Sequence, residues 1–94
     1  MNQIRLIASI AEREAVRYTP AGIPIVAARL LHSSTQSEAG IARVVEFEIA
    51  AQAAGSISEW LSQAELGGTY HFSGFLARKN RNSRMLVFHI TGFE

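Results

Sequence analysis

Four of the seven residues in Arg78-Lys79-Asn80-Arg81-Asn82-Ser83-Arg84 are cationic and none is acidic. Cations at this density suit contact with a polyanion, because each can neutralise a phosphate and release a counterion. For a cationic loop taken alone, a solvated turn is the plainer reading. The remaining residues with chemical potential are the imidazoles of His32, His71 and His89, which fall in three separate segments. The chain has no Cys, no Asp, and no HxH or HExxH spacing. A zinc or hydrolytic site would need further ligands that the chain does not supply, so satisfied or solvent-facing imidazoles are expected. Gly67-Gly68 follows a helical stretch instead of opening one, the wrong polarity for a phosphate-binding loop. Neither a cofactor nor catalysis is expected.

The overall charge of +1 hides an uneven distribution. Residues 1–65 carry five Arg and seven Glu, a balance of −2; residues 66–93 carry three Arg and one Lys, a balance of +4; Glu94 restores +1. The cations are thus concentrated where the basic run lies. Ninety-four residues suffice for one core, so a single domain over 1–94 is expected. A hydrophobic content of 48% with 18% charged residues describes a globular chain. Without cysteine there is no disulfide framework. No apolar run approaches the roughly 18 residues of a membrane span. Arg5 interrupts the N-terminal apolar stretch, which reads as a strand and not as a signal peptide. A cytoplasmic, non-membrane protein is expected.

The basic run needs a scaffold, and the flanking pattern provides one. Tyr70, Phe72 and Leu76, then Leu86, Phe88 and Ile90, recur at period two, predicting strands over Thr69–Ala77 and Met85–Gly92. The basic run becomes the tip of that hairpin. Upstream, Ile4–Ile10 alternates as a half-buried strand, with Glu12-Arg13-Glu14 interrupting it and Ala15–Thr19 extended again. Thr19-Pro20-Ala21-Gly22 has the composition of a turn. Ile25–His32 is expected as the second strand, Ser33–Gly40 as a long polar loop, and Ile41–Ala50 as the third strand. The period then changes: Ser56-Ile57-Ser58-Glu59 has the form of a capping box, and Ile57, Trp60, Leu61 and Ala64 form one helical stripe closed by Gly67-Gly68.

Three strands, a helix and a two-stranded hairpin give the element order of the OB-fold, an all-β, five-stranded Greek-key barrel with one short helix between strands 3 and 4. Its ligand face is framed by the loops between strands 1 and 2 and between strands 4 and 5. The basic run occupies the second of these.

Asn2-x-Ile4-x-Leu6-x-Ala8, Val16-Arg17-Tyr18-Thr19-Pro20-Ala21-Gly22, Arg43-Val44-Val45-x-Phe47, Glu59-Trp60-Leu61 and Gly67–Leu76 followed by Arg78-Lys79 resemble bacterial single-stranded-DNA-binding proteins, over nearly the whole chain. Within that group the short length without an acidic tail, Pro20-Ala21-Gly22-Ile23-Pro24, and Leu31-His32 ahead of Gln36-Ser37-Glu38-Ala39-Gly40 are similar to members that act in replication restart. The resemblance implies a homodimeric, non-enzymatic protein that binds single-stranded DNA and assists the restart helicase among the primosome proteins. Positions of DNA contact match at Arg17, Lys79, Arg81 and Arg84, with Arg78 beside them. Ile41 and Glu46 stand where relatives place stacking aromatics, and Ser33 where they place a cation. The expected binding is therefore more electrostatic, or leans on Tyr18, Phe47 or Phe75. Phe72, Phe88, Tyr70 and Trp60 are expected in the core. For Arg43 a rim or dimer ion pair and a phosphate contact remain open. Two other functions fit the chain: a protein-interaction hub of the primosome with vestigial DNA binding, and a single-stranded RNA-binding module.

Overall fold

A computed structural model describes residues 1–94. Its elements are β1 (Ile4–Arg13), β2 (Arg17–Tyr18), β3 (Pro24–Glu38), β4 (Ile41–Ala54), α1 (Ser56–Gln63), β5 (Thr69–Arg78) and β6 (Leu86–Phe93). The strand β1 makes the barrel possible because it changes partner along its length. Ile4–Ser9 pair with β5, whereas Ser9–Arg13 pair with β3, with a register shift between Ile10 and Glu12. The extra residue of such a bulge bends a strand and increases its twist, letting one strand serve both walls. The circuit β1-β5-β6-β4-β3 returns to β1, and its one parallel contact joins β4 to β6 at Ala51–Phe88 and Gln52–His89. This is the closed five-stranded OB barrel expected from the element order.

Period-two alternation fills the interior. Ile10, Val26, Leu30, Phe72, Phe88 and Ile90 are buried, with Ala28, Ala51 and Ala53 where the walls approach one another. Each large side chain among them contributes about 1.5–3 kcal/mol by leaving water. Helix α1 closes one end through Leu61. Trp60 stacks on Phe93 at 3.6 Å and meets Tyr70 edge-on at 5.1 Å, so Trp60 and Tyr70 are packing residues as expected.

Three local expectations are corrected. Ser33–Gly40 is not a long loop: β3 continues to Glu38 and pairs with β4 all the way to Ile41. The connection is the two-residue turn Ala39-Gly40, with φ of 53° and 77°. Positive φ at both central residues matches the twist of a tight hairpin. The result is a long β3–β4 arm beyond the barrel. Second, Ser56 is the first helical residue and not the cap. Gly55 takes the cap position with φ 76° and no side-chain cap bond, and the Ser58 hydroxyl donates back to the Gly55 carbonyl. Glu59 still lies in the first turn, where its charge suits the helix dipole. Third, the helix ends at Gln63, so Gly67-Gly68 belong to the turn before β5 and Ala64 takes the C-cap.

Candidate nucleic-acid interface

The tip of the β5–β6 hairpin is tied by its own polar groups. The Lys79 amide donates to the Met85 carbonyl at 2.9 Å, and the Ser83 amide to the Asn80 carbonyl at 3.2 Å. The Asn80 side-chain oxygen accepts from the Asn82 amide, and the Ser83 hydroxyl from the Met85 amide, both at 3.0 Å. These are the local side-chain bonds that make Asn and Ser turn residues. They hold the finger in shape without using any of its cations. The two ion pairs of the chain are Arg29–Glu48 and Arg43–Glu38, so Arg78, Lys79, Arg81 and Arg84 have no carboxylate partner.

Below the finger lies a groove of about 670 Å³. Its floor is the outward face of β3 and β4, where Ala27 and Ala50 carry little side chain. Lys79, Asn80 and Met85 form one wall; Glu12, Glu14 and Arg17 form the other. Arg17 is fixed there because β2 pairs it with Ile25 of β3. The connection from β1 to β3, which includes β2, and the β5–β6 finger thus bound one cleft over a floor of mainly small side chains.

Of the residues singled out in the sequence, the fold brings Arg17 and Lys79 to opposite walls of this groove. Tyr18 is 67% exposed beside Arg17 but outside the groove lining. Arg78, Arg81 and Arg84 are exposed along the hairpin and do not line the groove. Phe47 lies on the β3–β4 arm, its ring 5.0 Å from that of His32 and tilted by 33°. Phe75 faces outward and stacks on His89 at 4.8 Å, within 6° of parallel. Arg43 is bonded to Glu38 at 2.9 Å in an exposed pair near the arm's turn, away from the groove. No group of three or more His, Asp or Glu side chains converges to hold a metal ion.

Two groove residues had no sequence signal. Arg29 sits within an apolar strand and faces the groove only because β3 presents Ala27 and Arg29 outward between buried Val26, Ala28 and Leu30. Arg13 lines the groove but is bonded elsewhere: its Nη1 donates to the Leu61 carbonyl at 3.2 Å and to the Ala64 carbonyl. A guanidinium there satisfies carbonyls that the helix end leaves open, and α1 has no basic residue of its own in its last turn.

Comparison with known proteins agrees with this architecture. A family model described as "Another single-strand binding protein family" matches residues 2–92. The replication restart protein PriB of Nitrosomonas europaea is 40% identical over 89 residues, covering 95% of this chain and 82% of that protein. The solved structure of PriB from Ralstonia solanacearum superposes with a TM-score of 0.93 at 46% identity, covering 100% of this chain and 96% of that one. The single-stranded DNA binding protein of Thermus aquaticus shares the fold at 22% identity, with a TM-score of 0.77 over 100% of this chain and 49% of that one. The chain belongs to the single-strand binding protein family and, within it, to the replication restart PriB group, a DNA-binding and non-enzymatic lineage.

Proposed function

We propose that the chain binds single-stranded DNA during replication restart, with the strand lying in the groove between Arg17 and Lys79 and its phosphates drawn to Arg78, Arg81 and Arg84. The observation that carries this reading is a pre-shaped finger whose four cations have no carboxylate partner. With Ala27 and Ala50 on the floor and no ring lining the groove, binding is electrostatic before it is stacking. Tyr18 and Phe75 are exposed rings outside the groove lining, available to bases that leave it, whereas Phe47 lies on the face of β4 opposite to Ala50 and the groove floor.

The test is a salt titration of oligo-dT against the protein and its Lys79→Ala, Arg81→Ala, Arg84→Ala triple variant. Each phosphate contact contributes about 0.7 to the log–log slope for a single strand, so loss of three contacts should flatten it by about 2. Equal slopes would reduce the finger to a turn. Oligo-U run in parallel decides between DNA and RNA, since the fold does not choose the sugar.

The chain acts as a homodimer and assists the restart helicase among the primosome proteins. Support for the dimer comes from β1: Ile4–Ala8 pair only with β5, and Ile7 and Leu31 are exposed near that open edge. A monomeric mass in sedimentation at micromolar concentration would remove it. A second reading, a protein-docking hub with vestigial DNA binding, draws on the exposed Ile41 and Val44 and on Glu46 and Glu48 of the arm. Absence of oligo-dT binding at low salt, together with a complex with the helicase, would favour it.

A further inference from the structure

Arg29 lies on the outward face of β3, which it shares with Ala27 and, across the ladder, Ala50 of the groove floor. Its one ionic partner is Glu48, with Nε 3.8 Å from Oε2. The pair follows from register. Arg29 lies opposite Ala50 and Leu31 opposite Glu48, so Arg29 and Glu48 are diagonal cross-strand neighbours on one face, within reach of long side chains. Glu48 does not line the groove; it stands where the groove gives way to the arm. Two residues further along that face comes Glu46, opposite Ser33, and then Val44, opposite Thr35. The arm's one cation, Arg43, points to the other face and is bonded to Glu38. The groove lining mixes signs, with Arg17, Arg29 and Lys79 beside Glu12 and Glu14, whereas beyond Arg29 the only charges on this face of β4 are the carboxylates Glu48 and Glu46.

We propose that Glu48 is a specificity-determining carboxylate that occupies Arg29 in the free protein and stops the bound strand at the mouth of the arm. A phosphate reaching Arg29 competes with the Glu48 carboxylate 3.8 Å from its Nε, and one continuing past it meets Glu46. Strand is held between the finger and the β1–β2 wall, and the arm is kept clear of nucleic acid. This inference rests on the DNA-binding reading of the same groove.

The experiment compares oligo-dT binding across a salt series for the parent, Glu48→Gln and Glu59→Gln. The last removes an equal charge from helix α1, away from the groove. Glu48→Gln releases one cation to phosphate, so its log–log slope should steepen by about 0.7, meaning about fivefold more change in affinity per tenfold change in salt. Glu59→Gln should run parallel to the parent. The double variant Glu46→Gln, Glu48→Gln should also raise the oligomer length at which affinity stops increasing. Both carboxylates are exposed, and an unchanged circular dichroism spectrum verifies folding. A parental slope in Glu48→Gln, or equal steepening in Glu59→Gln, overturns the proposal while leaving the DNA reading intact. A parent that binds no oligo-dT overturns both.

Discussion

Arg13 offers a quantitative test of how the groove wall is tied to the rest of the barrel. Its guanidinium donates to the carbonyls of Leu61 and Ala64, joining β1 to the end of α1 across 48 and 51 residues of sequence. Leu61 is fully buried, so carbonyls at this end of the helix have restricted access to water. Arg13→Met keeps an unbranched apolar stem while removing charge and donors. Hydrogen bonds from a charged group contribute about 1.5–3 kcal/mol, and a cation at a helix C-terminus about 0.3–1 kcal/mol, with overlap between the two. A net loss of about 2 kcal/mol is expected, which for a domain of this size lowers Tm by roughly 10 °C. Arg13→Lys keeps the charge but not the fork of donors and should recover about half of that. Trp60, the sole tryptophan, stacks on Phe93 and reports the transition by fluorescence. A Tm for Arg13→Met within about 2 °C of the parent would refute the role of the helix cap. Since the guanidinium is committed to carbonyls, the oligo-dT salt slope should stay parental in both variants. A flatter slope would mean that Arg13 contacts phosphate instead.

Two further substitutions probe the scaffold. A Cβ at Gly74 would lie 1.8 Å from the His89 carbonyl oxygen, at the register shift between β5 and β6, so Gly74→Ala should destabilise by about 3 kcal/mol in urea denaturation. Ala39 holds a φ of 53° at the arm's turn, which Asn tolerates better than Ala, so Ala39→Asn should stabilise the hairpin by about 1 kcal/mol and slow hydrogen exchange at the tip of the arm.

The parts of this fold legible in the sequence are those whose residues report burial. Tyr70-Phe72 and Phe88-Ile90 alternate because one face of each strand lies in the core, and Ile57-Trp60-Leu61-Ala64 form a stripe because α1 seals the barrel's end. Ser33–Glu38 escaped recognition for the converse reason. The arm extends past the core, so its strand conformation is set by pairing with Ile41–Glu46 and leaves no apolar alternation. At the helix start, the Ser-x-x-Glu pattern was misleading because Gly55, with positive φ, already turns the chain into the helix. The finger was readable as a cluster of charge and Arg17 through family likeness. Arg13 and Arg29 were not, since each takes its role from partners brought close only by the fold: the Leu61 carbonyl for one, Glu48 for the other.

The parallel contact of β4 with β6 has a consequence for assembly. Ala51 meets Phe88 and Gln52 meets His89, and these pairs complete the ring of strands. Until β6 has been made and has docked, Ala27 and Ala50 line only part of a curved sheet, and the finger has no second leg. Core closure and the ligand cleft are then one cooperative event, late and non-local, of the kind that slows β-rich folding. A ribosome-bound chain halted before Leu86 should be protease-sensitive and show no affinity for oligo-dT, gaining both properties together once the last strand emerges.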